Sequence, residues 1–219
     1  MTIIAPSLLS ADFSRLKDET EMVEKAGAQW LHLDIMDYHF VPNLTFGAGV
    51  VKSLRPHSNM VFDAHLMVED PEKYIPDFQK AGTEYLTFHY EAVSHCDQVI
   101  QVIQEIKKHD MKAGISVKPK TDVTVLEPFL EYLDLILVMS VEPGFGGQKF
   151  MVDMLQKVQW LKEQKAQEKG NFLIEIDGGI NRSTAVEAVK AGAEVLVAGT
   201  AVFGAASPKE EISYYLKLS

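Results

Sequence analysis

A chain of 219 residues, 47% hydrophobic and 24% charged, suits one globular domain over 1–219, large enough to bury roughly 70% of its surface around a dry polar site. Its net charge of −10 argues against a nucleic-acid partner and against an anionic membrane surface. A lone cysteine, Cys96, excludes an intramolecular disulfide and fits a reducing cytoplasm, and no apolar run reaches the about 18 residues of a membrane span.

In chain order, short apolar or β-branched runs occur near 3–6, 30–36, 60–67, 84–89, 111–117, 134–139, 172–177 and 194–198. The start, MTIIAPSLLSADF, lacks the charged region and long apolar stretch of a signal peptide. Helical spacing fills the intervals, clearest over 14–27, 97–109, 150–166 and 182–192. Ala26-Gly27, Ala81-Gly82 and Ala191-Gly192 supply glycine stops before the next strand. Eight strands alternating with helices predict parallel βαβ units. Their number in this length predicts a closed (β/α)8 barrel of the TIM type more than a doubly wound open sheet. Polar residues inside the strands, near their C-terminal ends, point the same way. A sheet covered by helices on both faces wants apolar residues there.

The segment WLHLDIMDYHFVPN alternates strictly, with Leu31, Leu33 and Ile35 on one side and His32, Asp34 and Met36 on the other. His65 in FDAHLMV and Asp177 in LIEIDGG end two other strands. A strand histidine is ordinarily a hydrogen-bonded core residue. Four such groups at one rim would each cost kcal/mol-scale penalties in a dry core if left unpaired. Two imidazoles and two carboxylates make a site for one divalent metal such as Zn, Mn, Fe or Co. Asp37, Tyr38, His39, Asp63, His89 and Glu175 rank lower, Asp63 and Glu175 because they sit two residues deeper. His57, His95 and His109 read as solvated.

SVEPGFGGQKF places Gly144, Gly146 and Gly147 between a strand and a helical pattern, where backbone amides at a helix start can hold phosphate. DGGIN and AGTAVFG add glycine turns after the next two strands. A phosphate site built by the last βα loops and a short extra helix recurs in barrels. With only Lys149 and Arg182 nearby, amides and helix dipoles carry the binding, which reconciles an acidic chain with an anionic substrate.

APSLLSADF, HLDIMD…HFVPNLTFG, DAHLMV, VMSVEPGFGGQKF, IEIDGGIN and VAGTAVF resemble the ribulose-phosphate 3-epimerase family, in family order over nearly the whole chain. The resemblance implies a ribulose-phosphate-binding barrel that interconverts D-ribulose 5-phosphate and D-xylulose 5-phosphate in the pentose phosphate pathway. It implies a divalent metal, zinc foremost, on His32, Asp34, His65 and Asp177. Asp34 and Asp177 become acid/base residues on opposite faces of the substrate, acting through a metal-stabilised enediolate. Ser7 and His65 contact the sugar. Gly144, Phe145, Gly146 and Gly147, with Asp177, Gly178, Gly179, Gly199 and Thr200, hold the phosphorylated substrate. Met36, Met67 and Met139 wall the reacting carbons as polarizable bulk without acidic protons. Homo-oligomers, dimer or hexamer, are the family's habit.

The family pattern Met-Asp-Gly-His reads Met-Asp-Tyr-His here. If position 38 has φ > 0, a tyrosine costs about 1–2 kcal/mol. Its ring then crowds the mouth or lies outward, and a weakly active or non-catalytic barrel is the alternative to an active enzyme. Lys120 in VKPKT replaces the commoner glycine, in a loop assigned away from the chemistry. A D-allulose-6-phosphate 3-epimerase is the rival of like chemistry. A sugar-phosphate decarboxylase would carry Asp-x-Lys-x-x-Asp in the second strand, and no lysine stands there.

Overall fold

The computed structural model describes residues 2–93 and 95–218. Its strands are β1 (Ile3–Pro6), β2 (Trp30–Met36), β3 (Val61–Met67), β4 (Tyr85–His89), β5 (Lys112–Val117), β6 (Leu135–Met139), β7 (Leu173–Asp177) and β8 (Val195–Ala198). They hydrogen-bond in parallel, in the order β1-β8-β7-β6-β5-β4-β3-β2. A parallel bridge from Ser7 to His32 joins the two ends. The sheet is therefore a nearly closed barrel, not an open doubly wound one. Each strand begins at the predicted residue or one after it.

The helices are α1 (Leu16–Lys25), α2 (Ala48–Leu54), α3 (Ile75–Lys80), α4 (Cys96–Lys108), α5 (Leu155–Ala166), α6 (Arg182–Ala191), α7 (Thr200–Phe203) and α8 (Pro208–Tyr215). Two start later than their periodicity suggests, because the 3-10 turns Phe13–Arg15 and Val152–Met154 precede α1 and α5. The β5–β6 connection is a 3-10 segment, Val123–Tyr132, with Pro128 inside it. Proline removes the donor that an α-helical ladder requires. Gly27, Gly82 and Gly192 follow α1, α3 and α6 with φ of 106°, 80° and 126°.

Strand alternation divides the core into two layers. Leu31, Leu33, Ile35, Ile136 and Val138 belong to the large cluster shared with the helices. Ala5, Trp30, Leu135, Leu137, Met139, Val195 and Val197 form a separate cluster inside the barrel. A third small cluster, Met36, Val41 and Met67, sits where the strands open to the cleft. The period of two thus decides which residues point at the helices and which at the interior.

Candidate metal and substrate site

Alternation turns His32 and Asp34 inward from β2, and His65 and Asp177 join them from β3 and β7. One ligand atom from each of these four residues lies within 4.8 Å of all the others. Both imidazoles are fully buried and Asp34 is 2% exposed. His32 Nδ1 lies 2.6 Å from Asp63 Oδ2 and donates to it. Its Nε2 then faces Asp34 Oδ1 at 3.5 Å and has no hydrogen-bond partner among the described residues. His65 Nδ1 stands 3.2 Å from the same oxygen. Two ring nitrogens converging on one carboxylate oxygen call for a shared cation, so these residues fit a divalent metal. Asp63 is the carboxylate that orients a ligating histidine from behind.

The electrostatics separates the two carboxylates. Burial would raise Asp34, but His32 and His65 hold it well below the ordinary carboxylate range. Burial and the Asp34 charge push Asp177 up to about 7. Burial opposes protonation of His32, yet Asp34 and Asp63 together raise it well above the usual imidazole value. A proton drawn to His32 Nε2 occupies the place that a metal would take. Burial lowers His65.

A cleft of about 530 Å³, counted out to open solvent, lies above this group. Its lining includes Ser7, Asp34, Met36, Met67, Met139, Gly144, Phe145, Gly146, Gly147, Asp177, Gly178, Gly179, Gly199 and Thr200. Every predicted site residue but His32 and His65 faces it, and those two stand behind Asp34. No lysine or arginine lines it; Arg182 is engaged by Glu211 at 2.8 Å. The amides of Gly146, Gly147 and Gly179 make no backbone hydrogen bond among the described residues. Gly179 has φ +64°, and a Cβ there would meet Phe150 N at 2.5 Å, so no larger residue fits. The short α7 begins at Thr200 beside these turns. The 140–150 loop does not itself start a helix as predicted. Gln148 Nε2 donates to the Glu142 and Phe145 carbonyls at 2.6 and 2.8 Å, folding the loop on itself, and α5 waits until Leu155.

A model of the ribulose-phosphate 3 epimerase family matches residues 3–203. The chain belongs to this family. It is 48% identical over 215 residues to the ribulose-phosphate 3-epimerase of Bacillus subtilis, covering 97% of both chains. It is also 48% identical over 213 residues to the cytoplasmic isoform of Oryza sativa, covering 96% of this chain and 91% of the other. Among solved structures, a 3-hexulose-6-phosphate synthase overlays with a TM-score of 0.68 at 17% identity, over the whole of both chains. That likeness shows the fold alone.

Against the family pattern, Tyr38 does adopt a left-handed conformation, φ 66°. Its side chain is 67% exposed and does not line the cleft, so the ring lies outward. Its amide donates to the Asn43 carbonyl at 2.9 Å. Lys120 is exposed in the loop after β5. His57 and His95 are exposed as expected, and His109 is half-buried. Beneath the four ligands lies a second group, His32, Asp63 and Glu175, also close enough for a metal. Both Glu175 carboxylate oxygens lack a hydrogen-bond partner among the described residues, and burial with the Asp63 charge raises Glu175 well above its ordinary range. A neutral Glu175 spares this epimerase-family barrel one buried charge. The sequence ranks His89 only as a lesser candidate ligand. Its ring is fully buried, and its Nε2 is 2.8 Å from His65 Nε2.

Proposed function

We propose that the chain interconverts D-ribulose 5-phosphate and D-xylulose 5-phosphate by moving the proton at C3 between two carboxylates. The carrying observation is that Asp34 and Asp177 face one cleft with proton affinities driven apart, Asp34 down and Asp177 up to about 7. Such a pair supplies an ionised base and a protonated acid at once. Asp34, receiving a hydrogen bond from the Ser7 hydroxyl, takes the C3 proton from one face of the ketose. Asp177 returns a proton to the other face, and the reverse reaction exchanges the roles. Met36, Met67 and Met139 keep water from the carbon between them. The amides of Gly146, Gly147 and Gly179 bind the phosphate without a cationic side chain.

His32, Asp34, His65 and Asp177 would hold a divalent metal, zinc foremost by the family resemblance, which would supply Lewis acidity that lowers the C3 proton's pKa. The family resemblance adds a single barrel domain over 1–219 and a homo-oligomer, dimer or hexamer. The exposed Cys96 suits a cytoplasmic setting. No helix among the described residues is long and apolar enough to cross a membrane.

The test is a coupled assay of metal-loaded protein on ribulose 5-phosphate and on allulose 6-phosphate. The pentulose phosphate should be preferred by at least about tenfold in kcat/KM. No interconversion of pentulose phosphates, with the metal verified as bound, refutes the proposal. Preference for the six-carbon sugar would transfer the same chemistry to the rival substrate.

A further inference from the structure

We propose that Glu91 and His89 are positioning residues that dictate which nitrogen of His65 carries its proton, and so keep His65 Nδ1 open toward Asp34 as a metal ligand. This rests on the reading of His65 as a ligand. The chain of contacts begins in the loop after β5. Lys157 Nζ ties that loop down by donating to the carbonyls of Lys118, Pro119 and Thr121 at 2.9, 2.9 and 2.6 Å. The loop in turn fixes Glu91. Its Oε1 accepts from the Lys118 amide at 2.8 Å and from the Thr121 hydroxyl.

The other oxygen, Oε2, faces His89 Nδ1 at 3.2 Å. An ionised carboxylate only accepts, so His89 Nδ1 must donate. A neutral ring protonated at Nδ1 carries its lone pair on Nε2. That lone pair meets His65 Nε2 at 2.8 Å, where one proton fits and a second does not. The proton therefore belongs to His65 Nε2. His65 is then unprotonated at Nδ1, 3.2 Å from Asp34 Oδ1, two acceptors that only a shared cation reconciles. Phe40 stacks on His89 with ring centres 4.8 Å apart, under the Lys118 ammonium at 3.7 Å. With this cover and both imidazoles fully buried, hydrogen-bond direction passes from Glu91 through His89 to the Nε2 side of His65. His32 has its own orienting carboxylate in Asp63. His65 has none in direct contact from behind, and the Glu91–His89 pair takes that place.

The two nitrogens of a histidine ring are distinguished by long-range proton–nitrogen correlation in protein labelled with 15N-histidine, at about pH 7.5 where both rings are neutral. The full-length zinc-bound protein should show His89 protonated at Nδ1 and His65 at Nε2. His89 protonated at Nε2 in that form overturns the proposal. Glu91→Gln is the perturbation. The Lys118 amide and Thr121 hydroxyl hold the new carbonyl oxygen, which turns the amide NH2 toward His89 Nδ1 and reverses the chain. His65 in zinc-free protein should then be protonated at Nδ1, and zinc affinity, read by competition with a chelator, should fall about 10–100-fold. Glu91→Asp keeps an acceptor and should keep the wild-type tautomers. Unchanged tautomers and zinc affinity in Glu91→Gln would also overturn the proposal. If that variant does not fold, the wild-type tautomers still decide. None of these readouts needs turnover, so a negative pentulose phosphate assay and a failure of this proposal are separate results.

Discussion

Ser7 Oγ donates a 2.6 Å hydrogen bond to Asp34 Oδ2, and Ser7 is also the residue whose bridge to His32 closes the barrel. Closure of the sheet and orientation of the carboxylate are thus one local event. A hydrogen bond to a charged group contributes about 1.5–3 kcal/mol. Ser7→Ala should lower kcat/KM by roughly 10–100-fold, while the backbone bridge survives. A loss confined to KM would mean that the hydroxyl serves binding and not the alignment of Asp34.

Asp34→Asn and Asp177→Asn preserve shape and remove one proton carrier each. Either should cut interconversion by about 10²–10⁴-fold or more. The two halves of the reaction separate in heavy water. With one carboxylate left, one epimer should still exchange its C3 proton for deuterium while net epimerisation stops. Normal kcat in either variant removes that residue from the proton path.

Tyr38 carries backbone strain without a contact in the cleft to justify it, at φ 66° and 67% exposure. Glycine relieves about 1–2 kcal/mol of left-handed strain and returns about 0.5–1 kcal/mol as unfolded-state entropy. Tyr38→Gly should therefore raise the urea-unfolding free energy by up to about 1 kcal/mol, with kcat/KM within about twofold. A drop in stability would reveal a packing role for the ring.

What could be read from the residues, and what could not, follows from the range of the signals. His32 and Asp34 were legible because an alternating strand shows its two faces directly. His65 and His89 both sit near strand ends and carry the same local signal. Only the register, which pairs His65 with Thr87, sets His89 one inward position beyond it. That stagger is a property of the closed barrel. Glu91 lies past its strand and meets Thr121 and Lys118 across loops, a pairing that no periodicity encodes. Gly144, Gly146 and Gly147, read as a phosphate-holding turn, line the cleft. The helix expected directly after them is delayed by the Gln148 side chain, which satisfies the loop's own carbonyls.

Gly199 lies against Ser10, and a Cβ there would collide with the serine hydroxyl and come within 3.2 Å of Ser10 Cβ. Its φ of −92° lies outside the left-handed region; what alanine lacks there is space in the cleft. Gly199→Ala should raise KM for the sugar phosphate by at least about tenfold, with kcat within about threefold. Adding Ser10→Ala removes the colliding oxygen and should recover part of the loss. A kcat defect with unchanged KM would place Gly199 outside the phosphate subsite.

Glu91 should leave a mark on acid stability. Burial opposes its ionisation, but His89, the Thr121 hydroxyl and the Lys118 amide bring its pKa from 4.5 down to about 2. Below 4.5 the unfolded chain binds a proton that the folded one refuses, so this contribution is complete above that pH and declines as pH falls toward 2. From 4.5 to about 2, at about 1.4 kcal/mol per pH unit, the whole window amounts to about 3 kcal/mol. Glu91→Gln lacks this component at every pH. Urea unfolding at about pH 5 and about pH 3.5 should show wild type losing about 1 kcal/mol more than the variant between the two. Equal losses would mean that the folded protein does not hold Glu91 ionised, and His89 would then have no fixed acceptor at Nδ1.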